Sequence, residues 1–325
     1  MTTYKEISGK YVRSVSSDPP TALGTGEIWY NTSSNVFKTV GQVFSWSSGT
    51  NLPGVRWNTS GAGTQTAGLV FGGSTGPSLG TFLNTTFEYD GTNWTSAPTT
   101  PISSINMFSA GTQTAAIGGG GLASSGSNSN AAFTFNGSSW SSITNTPYAS
   151  KGAGGAGTST AALMYGSDVG PSDNKATRSW NGSSWSTEGS LSDSFANGAS
   201  GGPTENSAFA AGAPVPTTST RFETYDGSAW SSGPAMNTAV KNNRGFGPSS
   251  DCLSIGGYNR ITGVERFDGS SWSVADSLST GRKQFASANN NASGVSNGWV
   301  GGGADGDNSV EEFSGVATVQ TVSSS

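Results

Sequence analysis

The chain contains no histidine. Nucleophilic sites of the Ser-His-Asp or Cys-His kind are therefore excluded in their usual form. So is the commonest side-chain ligand for zinc, copper and iron. Cysteine is nearly absent as well: the single Cys252 rules out an internal disulfide framework. It lies in Asp251-Cys252-Leu253-Ser254-Ile255, which reads as a strand with a buried, inert thiol. Charge is scarce at 11% of residues, and the net charge of −5 offers no basic patch for nucleic acid. No apolar run approaches the ~18 residues of a membrane-spanning helix. The stretch from Met1 to Asp18 lacks the basic-then-apolar pattern expected of a secretion signal.

What remains is glycine, small polar residues and aromatics. Hydrophobic residues make up only 32% of the 325 positions, which by itself would suit a disordered chain. Against that, 10 Trp, 15 Phe and 8 Tyr can bury large areas per residue. The 49 Gly then fit turns between many short strands.

One signature recurs: aromatic, Asp or Asn, Gly, Ser or Thr, any residue, Trp. It runs Tyr89-Asp90-Gly91-Thr92-Asn93-Trp94, then Phe135-Asn136-Gly137-Ser138-Ser139-Trp140, then Trp180-Asn181-Gly182-Ser183-Ser184-Trp185. Tyr225-Asp226-Gly227-Ser228-Ala229-Trp230 and Phe267-Asp268-Gly269-Ser270-Ser271-Trp272 complete five copies, with Trp-to-Trp steps of 46, 45, 45 and 42 residues. Between them lies a second marker, an apolar run ending in small residues. Its six instances include Leu69-Val70-Phe71-Gly72-Gly73 and Trp299-Val300-Gly301-Gly302. Near-identical stretches such as Gly63-Thr64-Gln65-Thr66-Ala67 and Gly111-Thr112-Gln113-Thr114-Ala115 indicate duplication.

A period of about 45 residues accommodates four short strands with turns, the size of one propeller blade. Asp-Gly and Asn-Gly are tight-turn signals, so the third and fourth strands (c and d, counting outward from the axis) form a hairpin. The last repeat has a c strand at Val310–Gly315 but no Trp-led d strand after it; a spare one stands at Phe44-Ser45-Trp46-Ser47. The expectation is an all-β, six-bladed β-propeller of four-stranded antiparallel blades. The N-terminal outer strand at Trp46 would pair with the C-terminal blade and close the ring. Residues 1–45 are expected as an extended arm and hairpin, 46–315 as the propeller, and 316–325 as a tail.

Paired glycines followed by an aromatic and then a Trp at this period resemble kelch motifs, over about residues 46–315. The fourth apolar run departs, ending Ala210-Ala211-Gly212. The Asp-Gly-x-x-Trp turn is also similar to the Asp-box of sialidases, but lacks the residue that separates Asp from Gly there. Some kelch-family oxidases hold copper with Tyr and His, and without His that chemistry does not carry over. Residues 18–46 carry a second resemblance. Gly26-Glu27-Ile28-Trp29-Tyr30-Asn31-Thr32, then Lys38 and Gly41, then Trp46, are similar to β-hairpin modules of bacteriophage tail fibres and other virion proteins. This resemblance implies a virion location.

No cofactor and no catalytic residue is expected. Paired carboxylates could in principle do glycosidase chemistry; Asp168, Asp173, Glu205, Asp305 and Asp307 are the candidates. Asp90, Asp226 and Asp268 have a structural place in the repeated turn. Asp305 and Asp307 are also the candidate metal ligands, with a solvated turn as the alternative. Arg56, Arg244 and Arg282 recur near strand a, and Arg178, Arg221 and Arg266 near strand c. Pairing between blades, with Glu223, Glu265 and Glu311 as partners, explains them without a ligand.

The b-to-c connections vary most and share a face with the d-to-a connections, which makes that face the candidate interaction surface. Phe82, Lys175, Tyr258, Arg260 and Asp305 are the candidate binding residues on it. The functional expectation is a non-enzymatic virion protein of the tail-fibre or adhesin type. Other virion proteins would bind through residues 1–45, and a host glycan, receptor or partner protein through the propeller, with the chain oligomeric in the particle. A purely architectural tail or capsid role and a glycan-processing enzyme are the alternatives. Nucleic acid and a membrane span are not expected.

Overall fold

A computed structural model of the chain describes residues 12–19, 27–76, 80–212, 217–288, 295–303 and 307–322. Two compact units emerge, Met1–Ser45 with Ser314–Ser325, and Trp46–Phe313.

The larger unit is a six-bladed β-propeller of four-stranded antiparallel blades. Blade 1 comprises Ser60–Thr64, Ala67–Phe71, Thr86–Tyr89 and Trp94–Ala97 as strands a to d. Blade 2 comprises Phe108–Thr112, Ala115–Gly119, Ala132–Phe135 and Trp140–Ile143. Blade 3 follows with Gly154–Gly157, Ala162–Tyr165, Thr177–Trp180 and Trp185–Glu188. In blade 4 they are Ala199–Gly201, Phe209–Ala211, Phe222–Tyr225 and Trp230–Ser232. Blade 5 has Arg244–Phe246, Cys252–Ile255, Val264–Phe267 and Trp272–Ala275. In blade 6, Ala286–Ser287 and Asn297–Gly301 are followed by parts of two longer strands, Val310–Thr321 and Val36–Gly49. The Ala210-Ala211 ending of the fourth b strand keeps the regular ladder, Ala211 opposite Phe222. Cys252 lies in the fifth b strand, wholly buried, where desolvation raises its thiol pKa well above the ordinary value.

The repeated turn has a direct physical cause. Asp90 Oδ1 accepts the backbone N–H groups of Thr92 (2.8 Å) and Asn93 (2.7 Å). Asn136, Asn181, Asp226 and Asp268 do the same in the next four blades. The following glycine takes φ between 87° and 98° in all five turns, a region that side chains disfavour. The turn sets the aromatic directly opposite the Trp, as in the pair Tyr89–Trp94, whose rings stack 4.7 Å apart.

Each Trp also reaches the preceding blade. Trp140 packs on Phe71 at 4.9 Å, Trp185 on Phe108 at 5.9 Å, Trp230 on Tyr165 at 4.7 Å, and Trp272 on Phe222 at 5.0 Å. Trp94 meets Trp299 of blade 6 at 5.4 Å. Their indole N–H groups donate across the same seams, to Thr86 Oγ1, Thr144 O, Thr177 Oγ1, Pro234 O and Thr50 O respectively. Trp46 completes the circle. Its ring lies 4.8 Å from Phe313, its cross-strand aromatic, and 6.5 Å from Phe246 of blade 5, and it donates to Asp276 O at 3.0 Å.

At the axis the a strands come too close for most side chains. A Cβ on Gly61 would stand 2.7 Å from Ser287 O, and one on Gly155 would stand 2.3 Å from Ser109 O. One level of the axis therefore alternates Gly61, Ser109, Gly155, Ser200, Gly245 and Ser287 around the ring. Ser109 and Ser287 donate to the carbonyls of Gly61 and Gly245 on the preceding blades, at 2.8 and 3.1 Å. On the seam between blades 1 and 6, the Gln65 amide and the Tyr89 hydroxyl both donate to Glu312. Gln113, from the second copy of the Gly-Thr-Gln-Thr-Ala stretch, donates to Gly68 O and Tyr89 O of blade 1.

In the smaller unit, Ile28–Asn31 pairs with the start of Val36–Gly49 as the expected hairpin, Tyr30 opposite Phe37. Asp18 holds it, accepting from Lys38 Nζ (2.6 Å), Asn31 Nδ2 (2.6 Å) and Trp29 Nε1 (3.3 Å). Lys38 foremost, with Asn31, holds the Asp18 carboxyl below the ordinary range. Arg13–Val15 adds a parallel strand to this hairpin. The residues expected as a tail continue the strand Val310–Thr321 as far as Thr321.

Two outcomes follow. Trp46→Ala should cost about 3 kcal/mol in denaturant unfolding, close to the cost of Trp230→Ala at the equivalent position. A cost under ~1 kcal/mol for Trp46 alone would separate it from the ring. The second concerns acid. The Asp268 carboxyl is lowered to about 2 by the Ser271 and Ser270 N–H groups, and Asp226 and Asp90 are lowered by the same kind of donors. A folded-state pKa below the unfolded one stabilises at pH above ~4, and that contribution disappears as pH falls toward ~2. Because Asn serves in blades 2 and 3, the D90N/D226N/D268N variant should fold normally at pH 7. Its loss of stability between pH ~4 and ~2 should be shallower in acid titrations followed by circular dichroism.

Candidate functional site

The antiparallel order of each blade puts the b-to-c and d-to-a connections on one face. Just before each a strand, the d-to-a connection passes through a residue in the left-handed region. These are Asn58, Asn106, Gly152, Asn197, Asn242 and Gln284, with φ between 50° and 70°. Asparagine tolerates this conformation better than other side chains. Their main chains link blade to blade. Asn197 N–H donates to Gly152 O, Gly152 to Asn106, Asn106 to Asn58, Asn58 to Gln284, and Gln284 to Asn242, at 2.8 to 3.1 Å. The sequence reading missed this ring, whose trace is an Asn two residues before the first a-strand residue in four of six repeats.

The ring frames an axial cavity of about 40 Å³ lined by residues of all six blades. Ser60, Ser109, Ser200 and Ser287 line it with Asn106, Asn197 and Arg244. The side chains of Asn106 and Asn197 are 7% and 4% exposed, and neither Oδ1 atom has a hydrogen-bond partner.

The arginines grouped together in the sequence separate here. Arg56 and Arg282 hold the same place, two residues before the ring, and both are buried. Arg282 donates to Glu311 at 2.8 Å and to the carbonyls of Gly302 and Ser309. Arg56 has no carboxylate there; it lies over the Phe87 ring at 4.7 Å and donates to Gly72 O at 2.7 Å. Desolvation pulls its pKa to about 10. Arg221 pairs with Glu223, but Arg266 forks onto Asp251 at 2.7 and 3.1 Å, while Glu265 accepts from Asn237. Glu223, Glu265 and Glu311 share one task, accepting backbone N–H groups of the d-to-a connection before their own blade, from Ser192, Asn237 and Ser279. Arg244 stands two residues after the ring rather than before it and lines the cavity.

Of the candidate binding residues, Tyr258 is 46% exposed. Two ammonium groups approach its ring, Lys241 Nζ at 4.1 Å and Lys283 Nζ at 5.5 Å. Lys283 Nζ also lies 5.6 Å from the ring of the buried Trp57. Arg260 belongs to the same loop, and both it and Asn259 take left-handed φ, 55° and 64°. Phe82 is half-buried in the blade 1 loop, bridging to Ser74. Lys175 is exposed in the blade 3 loop and donates to Ser192 O at 3.0 Å. Phe82, Lys175 and Tyr258 thus sit on alternate blades, and the basic aromatic cluster forms around Tyr258 alone. Lys241, Lys283 and Trp57 were invisible to a search of the b-to-c loops because they belong to d-to-a connections.

Asp305 lies outside the described residues. Asp307 accepts from Ser309 N–H and Oγ, a local turn cap. Among the described residues no group of three His, Cys, Asp or Glu side chains converges where a metal could sit. Asp168 pairs with Lys151 at 3.1 Å. Glu205 lies in the a-to-b connection of blade 4, on the face opposite Asp168 and Asp173, so it shares no cleft with them. No protein-family model and no curated protein matches this chain.

Removing the charge of Glu311 leaves Arg282 buried without its counter-ion. Glu311→Gln should cost about 3 kcal/mol in denaturant unfolding, against less than ~0.5 kcal/mol for Lys175→Ala at the exposed Lys175–Asp193 pair.

Proposed function

We propose that this chain is a non-enzymatic virion protein of the tail-fibre or adhesin type, its propeller recognising a host-surface glycan, receptor or partner protein. The virion assignment draws on the similarity of residues 18–46 to phage hairpin modules and on the Gly-, Ser- and Asn-rich, histidine-free composition. The kelch-like repeat supplies a rigid ring with variable loops on one face, the usual arrangement of a recognition scaffold.

One observation carries the recognition role. Tyr258, a large exposed aromatic, is braced by Lys241 and Lys283 at the d-to-a connections beside the axis. A half-exposed tyrosine with ammonium groups against its ring offers a flat apolar surface beside positive charge, the pairing that contact residues use. Of the candidate carboxylates, Asp307 caps its own turn, Asp168 pairs with Lys151 and Glu205 lies on the opposite face, which favours binding over turnover.

The purified full-length protein should bind bacterial cells or immobilised surface polysaccharides from a panel of strains. Tyr258→Ala should weaken that binding about tenfold with an unchanged unfolding midpoint. Release of reducing sugar from the bound polysaccharide would favour the glycan-processing alternative. Binding only to other virion proteins, indifferent to Tyr258, would favour an architectural role.

A further inference from the structure

The axial cavity combines two features, of which the propeller's own construction does not require the first. The first is Arg244. Its guanidinium makes one hydrogen bond, from Nη1 to the carbonyl of Asn243 at 3.1 Å, although the group carries five N–H donors. No Asp or Glu lines the cavity. Arg244 is half-buried, and desolvation pulls its pKa down to about 10. The other five a strands manage the same position with Ser60, Phe108, Gly154, Ala199 and Ala286, so closing the ring does not call for arginine there.

The second feature is the pair of carboxamides at the rim. Asn106 and Asn197 line the cavity, are more than nine-tenths buried, and leave their Oδ1 atoms without donors, as Asn58 and Asn242 do at ring positions that do not line it. Buried amide oxygens without a partner are costly, so a donor in the cavity would stabilise them. The serine hydroxyls do not meet this demand, since Ser60, Ser109 and Ser287 already donate to main-chain carbonyls.

We propose that the axial cavity binds the carboxylate end of a hydroxy acid or acidic sugar, the carboxylate on Arg244 and a neighbouring hydroxyl donating to Asn106 or Asn197. The size agrees: about 40 Å³ holds roughly three waters, the room of one carboxyl group and a hydroxyl rather than of a whole sugar ring. A planar guanidinium matches a carboxylate through paired N–H donors. Lys241 and Lys283, immediately before ring residues Asn242 and Gln284 in blades 5 and 6, add positive charge next to the ring that frames the cavity and favour the approach of an anion. The inference concerns the chemistry of the ligand and stands whether or not the protein belongs to a virion.

The test is calorimetric titration of the full-length protein with four probes: glucuronate, acetate, sulfate and glucose, at constant chloride. Glucuronate should bind at least tenfold more tightly than acetate or sulfate, and glucose should not bind. Arg244→Gln should weaken glucuronate at least tenfold, with folding checked by circular dichroism. Asn197→Gly keeps the left-handed backbone, as Gly152 does at the same ring position; it should reduce the preference of glucuronate over acetate and spare acetate. Should Arg244→Gln fail to fold, the four-probe series and Asn197→Gly still decide. Binding of glucose as strong as glucuronate, or equal binding of sulfate, acetate and glucuronate, would overturn the proposal. So would no binding of glucuronate by the unaltered protein, or unchanged glucuronate binding by a folded Arg244→Gln. Loss of glucuronate binding with polysaccharide adsorption intact would remove this site and leave the recognition surface at Tyr258 standing.

Discussion

Six tryptophans hold six blades in a circle. Each stands opposite an aromatic on its own blade and sends its ring and its indole N–H across the seam to the blade before it. The apolar body contributes burial, while the polar edge fixes the angle of approach. Because every seam uses the same device, a missing tryptophan would leave one seam weaker than the rest. The chain avoids this by placing Trp46 at the seam between blades 5 and 6 and Phe313 as its partner, from opposite ends of the propeller sequence. The neighbouring seam gains Glu312 from the same C-terminal strand, receiving Gln65 and Tyr89 of blade 1.

The outer ring of large residues determines the inner one. With the seams set by tryptophan, the a strands converge until backbone nearly meets backbone, and only Gly and Ser occupy one level of the axis. The abundance of glycine thus has two physical sources, positive φ in the c-to-d and a-to-b turns and at the ends of the b strands, and the close approach at the axis. Above that level, the left-handed asparagines carry a belt of main-chain hydrogen bonds between successive blades. Rigidity at the centre leaves the b-to-c loops free to differ, as their lengths do.

Legibility followed periodicity. The Asp-Gly-x-x-Trp turn could be read because its cause is local: one side-chain oxygen, two N–H groups and one glycine within five residues. The missing sixth tryptophan could be read because the repeat creates a countable expectation. The arginines could not be sorted. Arg56, Arg244 and Arg282 look alike as residues near strand a, yet a shift of four positions moves Arg244 from a buried seam to the axial cavity. The cluster at Tyr258 was half legible, since its aromatic lies in a variable loop while its lysines come from connections that look uniform in sequence.

The order of the amino acids by itself determined the blade count, the hairpin turns and the pairing of chain ends, because each depends on short-range geometry repeated at a fixed interval. Which polar groups are left without partners was decided only by the tertiary structure. A buried arginine beside Glu311 and an arginine lining the axial cavity differ in what the other five blades bring near them. That proximity arises from closing the ring, and no local stretch of sequence encodes it.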